Sequence, residues 1–306
     1  MRRGSACRAR ERAATGAGSY LAWVPRSRDR LIGRTSVRDA VESAVIALTA
    51  AGCETPRLDA QVLLAAALGV DRAAIVADPA RELEPDAARR FQEYAARRRD
   101  REPVAYILGT KGFRSIELEV DPRVLIPRPE TEHLVEALLD LPRGARVCDV
   151  GTGSGAIALA LKAERPDIEV VATDASADAL DVARANARRL GLDVELRHGD
   201  LLAGVGGRLD AVVSNPPYVE DGAELAPEIV LHEPALALRA GPGGLDVIVR
   251  LLPAAGATEA HTVALEIGAG QAAAVAELMR GAGFPDVETV ADLAGVARVL
   301  IGRRPR

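Results

Sequence analysis

Asn215-Pro216-Pro217-Tyr218 is the first place in this sequence where residue type and spacing suggest chemistry. The tetrapeptide follows Ala211-Val212-Val213-Ser214, an apolar run that reads as a buried strand. Two successive prolines supply no N–H, so they end ladder pairing and stiffen the loop that follows. Asn215 offers a side-chain carbonyl, and the main-chain carbonyl of Pro216 meets no neighbouring N–H. Together these oxygens can accept both hydrogens of one NH2 group. An amide or aromatic NH2 is a weak nucleophile because its lone pair is delocalised, and its proton is too weakly acidic for a side chain to remove first. Aimed acceptors instead stabilise the positive charge that grows on nitrogen as it attacks an electrophilic carbon. They also hold the reacting atoms in line, and positioning of this kind can contribute roughly 7–11 kcal/mol. Asn215, Pro216 and Tyr218 are therefore the expected catalytic residues. Tyr218 would pack on a flat acceptor, Pro217 would complete the grip, and the product would lose its proton to water without a general base. An ordinary proline-rich turn is the competing explanation.

The electrophile is suggested by Asp149-Val150-Gly151-Thr152-Gly153-Ser154-Gly155, which lies between an expected strand at 146–150 and an expected helix at 156–163. Glycines there allow a tight turn and a close approach of ligand to backbone. The helix start presents free N–H groups to an anion. The spacing is G-x-G-x-G and not G-x-G-x-x-G, which weakens a dinucleotide reading. Asp174 ends the next strand 19 residues beyond Gly155, where a carboxylate can accept two hydrogen bonds from ribose hydroxyls. Asp200, after the third strand, can meet the exocyclic amine of adenine, and Asp149 can pair with an ammonium group. A ribose, an adenine and a zwitterionic amino-acid end without pyrophosphate describe S-adenosylmethionine, whose sulfonium methyl is an activated carbon. A tight turn with no ligand, and a nicotinamide dinucleotide, remain the alternatives. His198 reads as a satisfied strand residue, not a catalyst.

These loops need a scaffold. Strands are expected at 146–150, 168–173, 194–197, 209–214, 263–267, 287–290 and 297–301, with helices at 156–163, 176–190 and 271–281. Strand alternating with helix predicts an α/β fold with a mostly parallel sheet covered on both faces. Ahead of it, residues 36–101 read as a small helical domain. Val37, Val41, Ala44, Val45 and Leu48 recur at helical spacing, Ser36 can cap that helix, and Gly52 can end it. Further helices are expected at 56–68 and from about 85 to the run Arg97-Arg98-Arg99. Residues 102–131 read as a hairpin linker, with Ile116, Leu118 and Val120 alternating in a strand and Gly109 and Gly112 turning the chain before it. Residues 132–306 form the expected cofactor-binding domain.

Composition sets limits. The 306 residues carry a formal charge of −5, which lowers the prospect of a long nucleic-acid partner. No run of 18 apolar residues suggests a membrane span. Cys7, Cys53 and Cys148 are odd in number and match no zinc spacing, and the four histidines are scattered, so no metal site is expected. A reducing cytoplasm is the simplest setting. Residues 1–35 are rich in arginine and read as a disordered extension or a misassigned start, with a transit peptide and a nucleic-acid-binding arm as alternatives.

Over about residues 37–302 the chain resembles the peptide chain release factor glutamine methyltransferases. The resemblance rests on EPVAYILGTKGF at 102–113, VLIPRPETE at 124–132, DVGTGSGAIALAL at 149–161, SNPPYV at 214–219, HEPALAL at 232–238 and ALEIG at 264–268. NPPY is shared with adenine N6 and guanine N2 methyltransferases; IPRPETE together with a helical N-domain is more specific. The resemblance implies N5-methylation of the glutamine in the Gly-Gly-Gln loop of release factors, which are the expected partners. It implies a helical domain that helps dock the factor and a Rossmann-like seven-stranded methyltransferase sheet whose last strand is antiparallel. It places cofactor contacts at Gly151, Thr152, Gly153, Ser154, Gly155, Asp174, Leu201 and Asn215, glutamine contacts at Asn215 through Tyr218, and Phe113, Arg128 and Glu130 along the site. Leu201 stands where many relatives have an aromatic residue, and Gly295-Val296-Ala297-Arg298 replaces the more usual Gly-Arg-Asp-Arg. An amino-methyltransferase acting on nucleic acid, a catalytically silent release-factor adaptor and a dehydrogenase are the rival readings.

Overall fold

The structure is a computed structural model that describes residues 35–305. Apart from Thr35, the arginine-rich segment lies outside the described residues. The chain then forms α1 (Val37–Ala50), α2 (Pro56–Leu68), α3 (Arg72–Ala77), α4 (Pro85–Arg99) and α5 (Val104–Leu108). Ser36 caps α1 by accepting from the Asp39 N–H at 3.2 Å, and Pro56 and Pro85 stand at first-turn positions where a missing N–H costs nothing. Leu48, Leu63, Leu64 and Phe91 meet in one core. The short α3 lacks the length for a periodic signal and escapes the sequence reading.

A hairpin follows, β1 (Thr110–Phe113) with β2 (Ile116–Glu119), paired antiparallel. The sequence suggested Gly112 as a turn residue. Instead it pairs with Glu117 inside the ladder, and Arg114 makes the turn at φ +48°. That left-handed conformation is unusual for a residue with a side chain. Arg114 is held there by Glu164, by Glu136 at 3.1 Å, and through its own N–H by Glu132 at 3.1 Å.

The rest is one sheet of β3 (Arg146–Val150), β4 (Glu169–Asp174), β5 (Glu195–His198), β6 (Ala211–Ser214), β7 (Thr262–Glu266), β8 (Asp286–Ala291) and β9 (Ala297–Arg303). Its order is β5-β4-β3-β6-β7-β9-β8, and β9 runs antiparallel to both its neighbours. The connecting helices are α6 (Glu132–Glu136), α7 (Ala156–Glu164), α8 (Ala177–Leu190), α9 (Pro227–His232), α10 (Asp246–Gly256) and α11 (Ala272–Gly281). Alternate strand residues serve opposite faces: Val147, Ala211, Val213 and Ala264 pack with residues of α6 to α8, and Cys148, Val212, Val263 and Leu265 pack with residues of α10 and α11. No helix among the described residues is long and apolar enough to cross a membrane.

Two consequences place the site. The chain leaves β3 toward β4 on one side and returns to β6 on the other, so the sheet changes direction between β3 and β6. Ligands of open α/β sheets sit at such a point, beyond the strand carboxyl ends. The Gly151–Gly155 loop and Asn215-Pro216-Pro217-Tyr218 both leave the sheet there. The helical bundle is tied to the same region by ions. Glu228 of α9 accepts from Arg98 at 3.1 Å and from Arg101, while Arg98, 5% exposed, also pairs with Asp59 at 2.8 Å. Removing one member of a buried ion group leaves the others uncompensated. Glu228→Ala should therefore destabilise the protein by on the order of 2–4 kcal/mol, read as a lowered midpoint in denaturant, with Asp59 retaining Arg98.

Candidate functional site

A cavity of about 270 Å³ opens at the sheet's change of direction. Its walls include Gly151, Gly153 and Asp174, together with Asn215, Pro216 and Pro217. Asp200, Leu201, Arg250, Val124, Leu125 and Leu236 also line it. Asp174 braces the glycine loop: its Oδ2 accepts the Gly153 N–H and its Oδ1 the Ser176 N–H, both at 2.8 Å. Each oxygen keeps a further lone pair. Leu201 adopts φ +52°, and its carbonyl accepts the Thr173 hydroxyl at 2.7 Å, which fixes that strained turn to the end of β4. Asp200 is exposed and paired with Arg250. His198 shares a hydrogen bond with the Ala175 carbonyl.

Several expected site residues sit elsewhere. Asp149 is fully buried and is not a cavity wall. Its Oδ2 accepts from the Thr152 hydroxyl at 2.6 Å and the Ala158 N–H at 3.2 Å, so it clamps the loop to the start of α7 from beneath. Its Oδ1 is buried without a hydrogen-bond partner. Burial pushes the carboxyl up to about 7, against the pull of the Thr152 hydroxyl. Thr152 and Ser154 are buried too and do not face the cavity. Gly155 is needed for packing: at φ +87°, an added Cβ would lie 2.8 Å from Leu159 Cδ1. Of the glycine loop, Gly151 and Gly153 are the positions that reach the cavity.

Phe113 is 1% exposed and lies in the main core, not along the cavity. Arg128 is committed to Glu233, whose other oxygen accepts the Ile126 N–H at 3.2 Å. That carboxylate fastens the 124–128 strap to the segment around Pro234 and Leu236, both of which line the cavity. Glu130 is half-buried and outside the cavity wall, close enough to Glu266 and Arg298 to act on both electrostatically. Tyr218 does not line the cavity. Its hydroxyl donates to Glu266 at 3.1 Å, and its carbonyl accepts from Gln271 at 3.0 Å. Burial, and then Glu266, raise its pKa.

The acceptor side rests on residues the sequence reading left aside. Asn215 Nδ2 donates to the Thr131 hydroxyl at 3.1 Å, and that hydroxyl donates to Glu266 at 2.6 Å. Glu266 is 2% exposed. No described residue donates a hydrogen bond to Asn215 Oδ1 or to the Pro216 carbonyl. The signal for Glu266 was present: a carboxylate follows directly on the apolar run Val263-Ala264-Leu265, and a charged group in such a setting requires partners.

Residues 39–109 match the family profile described as PrmC N-terminal domain, and residues 129–270 match Methyltransferase small domain. The release factor glutamine methyltransferase of Mycolicibacterium smegmatis is 46% identical over 221 residues, 70% of this chain and 77% of that protein. The one from Koribacter versatilis is 43% identical over 279 residues, 88% of this chain and 99% of its own. The chain belongs to the release factor glutamine methyltransferase family. At the level of fold alone, the crystal structure of the hMettl16 catalytic domain is similar at a TM-score of 0.51 and 18% identity, over 73% of this chain and 83% of that one. Gly151 and Gly153 of the glycine loop line the same cavity as Asn215, Pro216 and Pro217, and Thr131 of the IPRPETE segment supplies the hydroxyl behind Asn215.

Asp149 gives this site a pH signature. Its folded pKa lies above the ordinary carboxylate value of about 3.9, so the stability linked to its proton is present below that value and is lost as pH rises through about 7. Asp149→Asn removes this loss. Relative to the unsubstituted protein, the variant should gain stability between about pH 4 and pH 7, measured as melting temperature against pH without cofactor. Parallel curves would remove Asp149 as the titrating group.

Proposed function

We propose that this chain transfers the methyl group of S-adenosylmethionine to the side-chain amide nitrogen, N5, of the glutamine in the Gly-Gly-Gln motif of peptide chain release factors. The observation that carries the proposal is that Asn215 and Pro216, whose Oδ1 and main-chain carbonyl accept no hydrogen bond from any described residue, line the same cavity as Gly151, Gly153 and Asp174. Membership of the family supports the substrate class.

The residues present suit the cofactor. Asp174 has lone pairs free for a ribose diol, Gly151 and Gly153 admit close approach of the amino-acid end, and Asp200 with Leu201 borders a place for adenine. Bound there, S-adenosylmethionine supplies an electrophilic methyl carbon. The protein's own task is then positional. Asn215 Oδ1 and the Pro216 carbonyl accept the two amide hydrogens, direct the nitrogen lone pair toward the methyl, and offset the positive charge that develops on nitrogen. Pro217 keeps the loop rigid. Tyr218 anchors the loop through its hydroxyl, which donates to Glu266, and is not used as a base. The walls around Val124, Leu125 and Leu236 limit water at the reacting atoms, and the surplus proton leaves with solvent after transfer.

The test is mass spectrometry of a release factor incubated with the full-length protein and S-adenosylmethionine. The Gly-Gly-Gln peptide should gain the mass of one CH2, located on the glutamine. Methylation of purified DNA or ribosomal RNA with none on the release factor would overturn the proposal. Asn215→Ala should slow transfer by roughly 10²–10³-fold, the scale for one lost preorganised polar group, while cofactor affinity by calorimetry stays within a few-fold.

A further inference from the structure

The two ends of the acceptor loop converge on one carboxylate. Glu266 is the last residue of β7, and the residues before it and before Asn215, Leu265 and Ser214, are register partners in the sheet. Glu266 therefore emerges beside Asn215 at the strand ends. Its Oε2 accepts from Thr131, which in turn accepts from Asn215, and its Oε1 accepts from Tyr218. Between the two tied residues stand Pro216 and Pro217.

The geometry points to Glu266 as a positioning residue that sets, through the Thr131 hydroxyl, which face of the Asn215 amide is presented to the methyl acceptor. This inference rests on the proposed reaction. A carboxylate can only accept, and the Thr131 hydroxyl has one proton. At 2.6 Å from Glu266 that proton is spent on the carboxylate. What Thr131 turns toward Asn215 is lone pair alone, so Asn215 must answer with Nδ2 and leave Oδ1 for the cavity. The flipped amide would set two oxygens against each other with no proton between them. An Asn amide without this constraint could present either N–H or oxygen to the substrate, and an N–H would repel the NH2 it must hold. Tyr218 extends the same control to the far end of the loop. Glu130 and Arg298 also face Glu266, one opposing and one favouring its charge. A buried carboxylate is costly to desolvate, and here both hydroxyls that offset the cost belong to the acceptor loop or its support.

Thr131→Val keeps the shape and removes the relay; Thr131→Ser keeps the relay and removes a methyl. With release factor and S-adenosylmethionine saturating, T131V should lower kcat by about 10- to 100-fold, the scale of a misplaced reacting group, with S-adenosylmethionine affinity by calorimetry within about three-fold. T131S should recover most of the rate. Glu266→Gln, which can donate to Thr131 and reverse the proton direction, should match T131V in kcat and give a second route should T131V fail to fold. A T131V or E266Q enzyme that folds and turns over at the unsubstituted rate would overturn the inference. So would equal losses in T131V and T131S, or a loss confined to cofactor affinity, since these mark a packing role. If the unsubstituted protein itself leaves the release factor unmodified, the reaction assignment fails, and that outcome is distinct from either result above.

Discussion

Pro216 and Pro217 have no N–H to give, and the site follows from that deficit. A strand that ends in two such residues cannot continue its ladder, so the chain leaves the sheet directly after Ser214 with a carbonyl that no neighbouring strand claims. The departure falls where the sheet changes direction, beside the loop after β3. In the proposed reaction this backbone oxygen, which would be an unsatisfied liability in a core, accepts a hydrogen of the substrate amide. The rest of the arrangement holds that oxygen and its partner on Asn215 still: Glu266 behind the loop, Gln271 on the Tyr218 carbonyl, and Glu233 fastening the strap that carries Val124 and Leu125 across to Pro234 and Leu236.

Polar burial in this protein is of two kinds. Asp149 and Thr152 lie under the glycine loop and hold it to the end of β3, and Asn186 holds the loop and the hairpin to α8, donating to the carbonyls of Ser154 at 3.0 Å and Glu119 at 2.9 Å. Thr131, Glu266 and Tyr218 lie under the acceptor side and constrain the direction of hydrogen bonds. In the first group polarity secures backbone shape. In the second, on the proposed reading, it decides which atom of Asn215 faces the substrate, a property that packing alone does not specify.

Local pattern carried much of this. Every strand of the sheet was visible as a short apolar or alternating run, and the order of loops along the chain already put Gly151 and Asn215 at strand ends. Residue roles within a motif were less legible. Phe113, Arg128 and Thr152 sit in segments that resemble functional motifs, yet burial or a distant carboxylate determines what each does. Arg128 meets Glu233 across 105 positions and Thr131 meets Glu266 across 135, and neither separation leaves a periodic trace. α9 and α10 were passed over for another reason: the stretch between β6 and β7 mixes proline, glycine and short apolar runs without sustained helical spacing. Gly112 misled because glycine in a strand and glycine in a turn look alike until the pairing is known.

The central claim concerns two oxygen atoms and one nitrogen. A crystal structure of the protein with S-adenosylhomocysteine and a Gly-Gly-Gln peptide tests it most directly. The account predicts the glutamine side-chain nitrogen about 2.7–3.1 Å from both Asn215 Oδ1 and the Pro216 carbonyl, with its free side toward the sulfur. A glutamine bound with its carbonyl oxygen against Asn215, or with its nitrogen away from the Pro216 carbonyl, would contradict it.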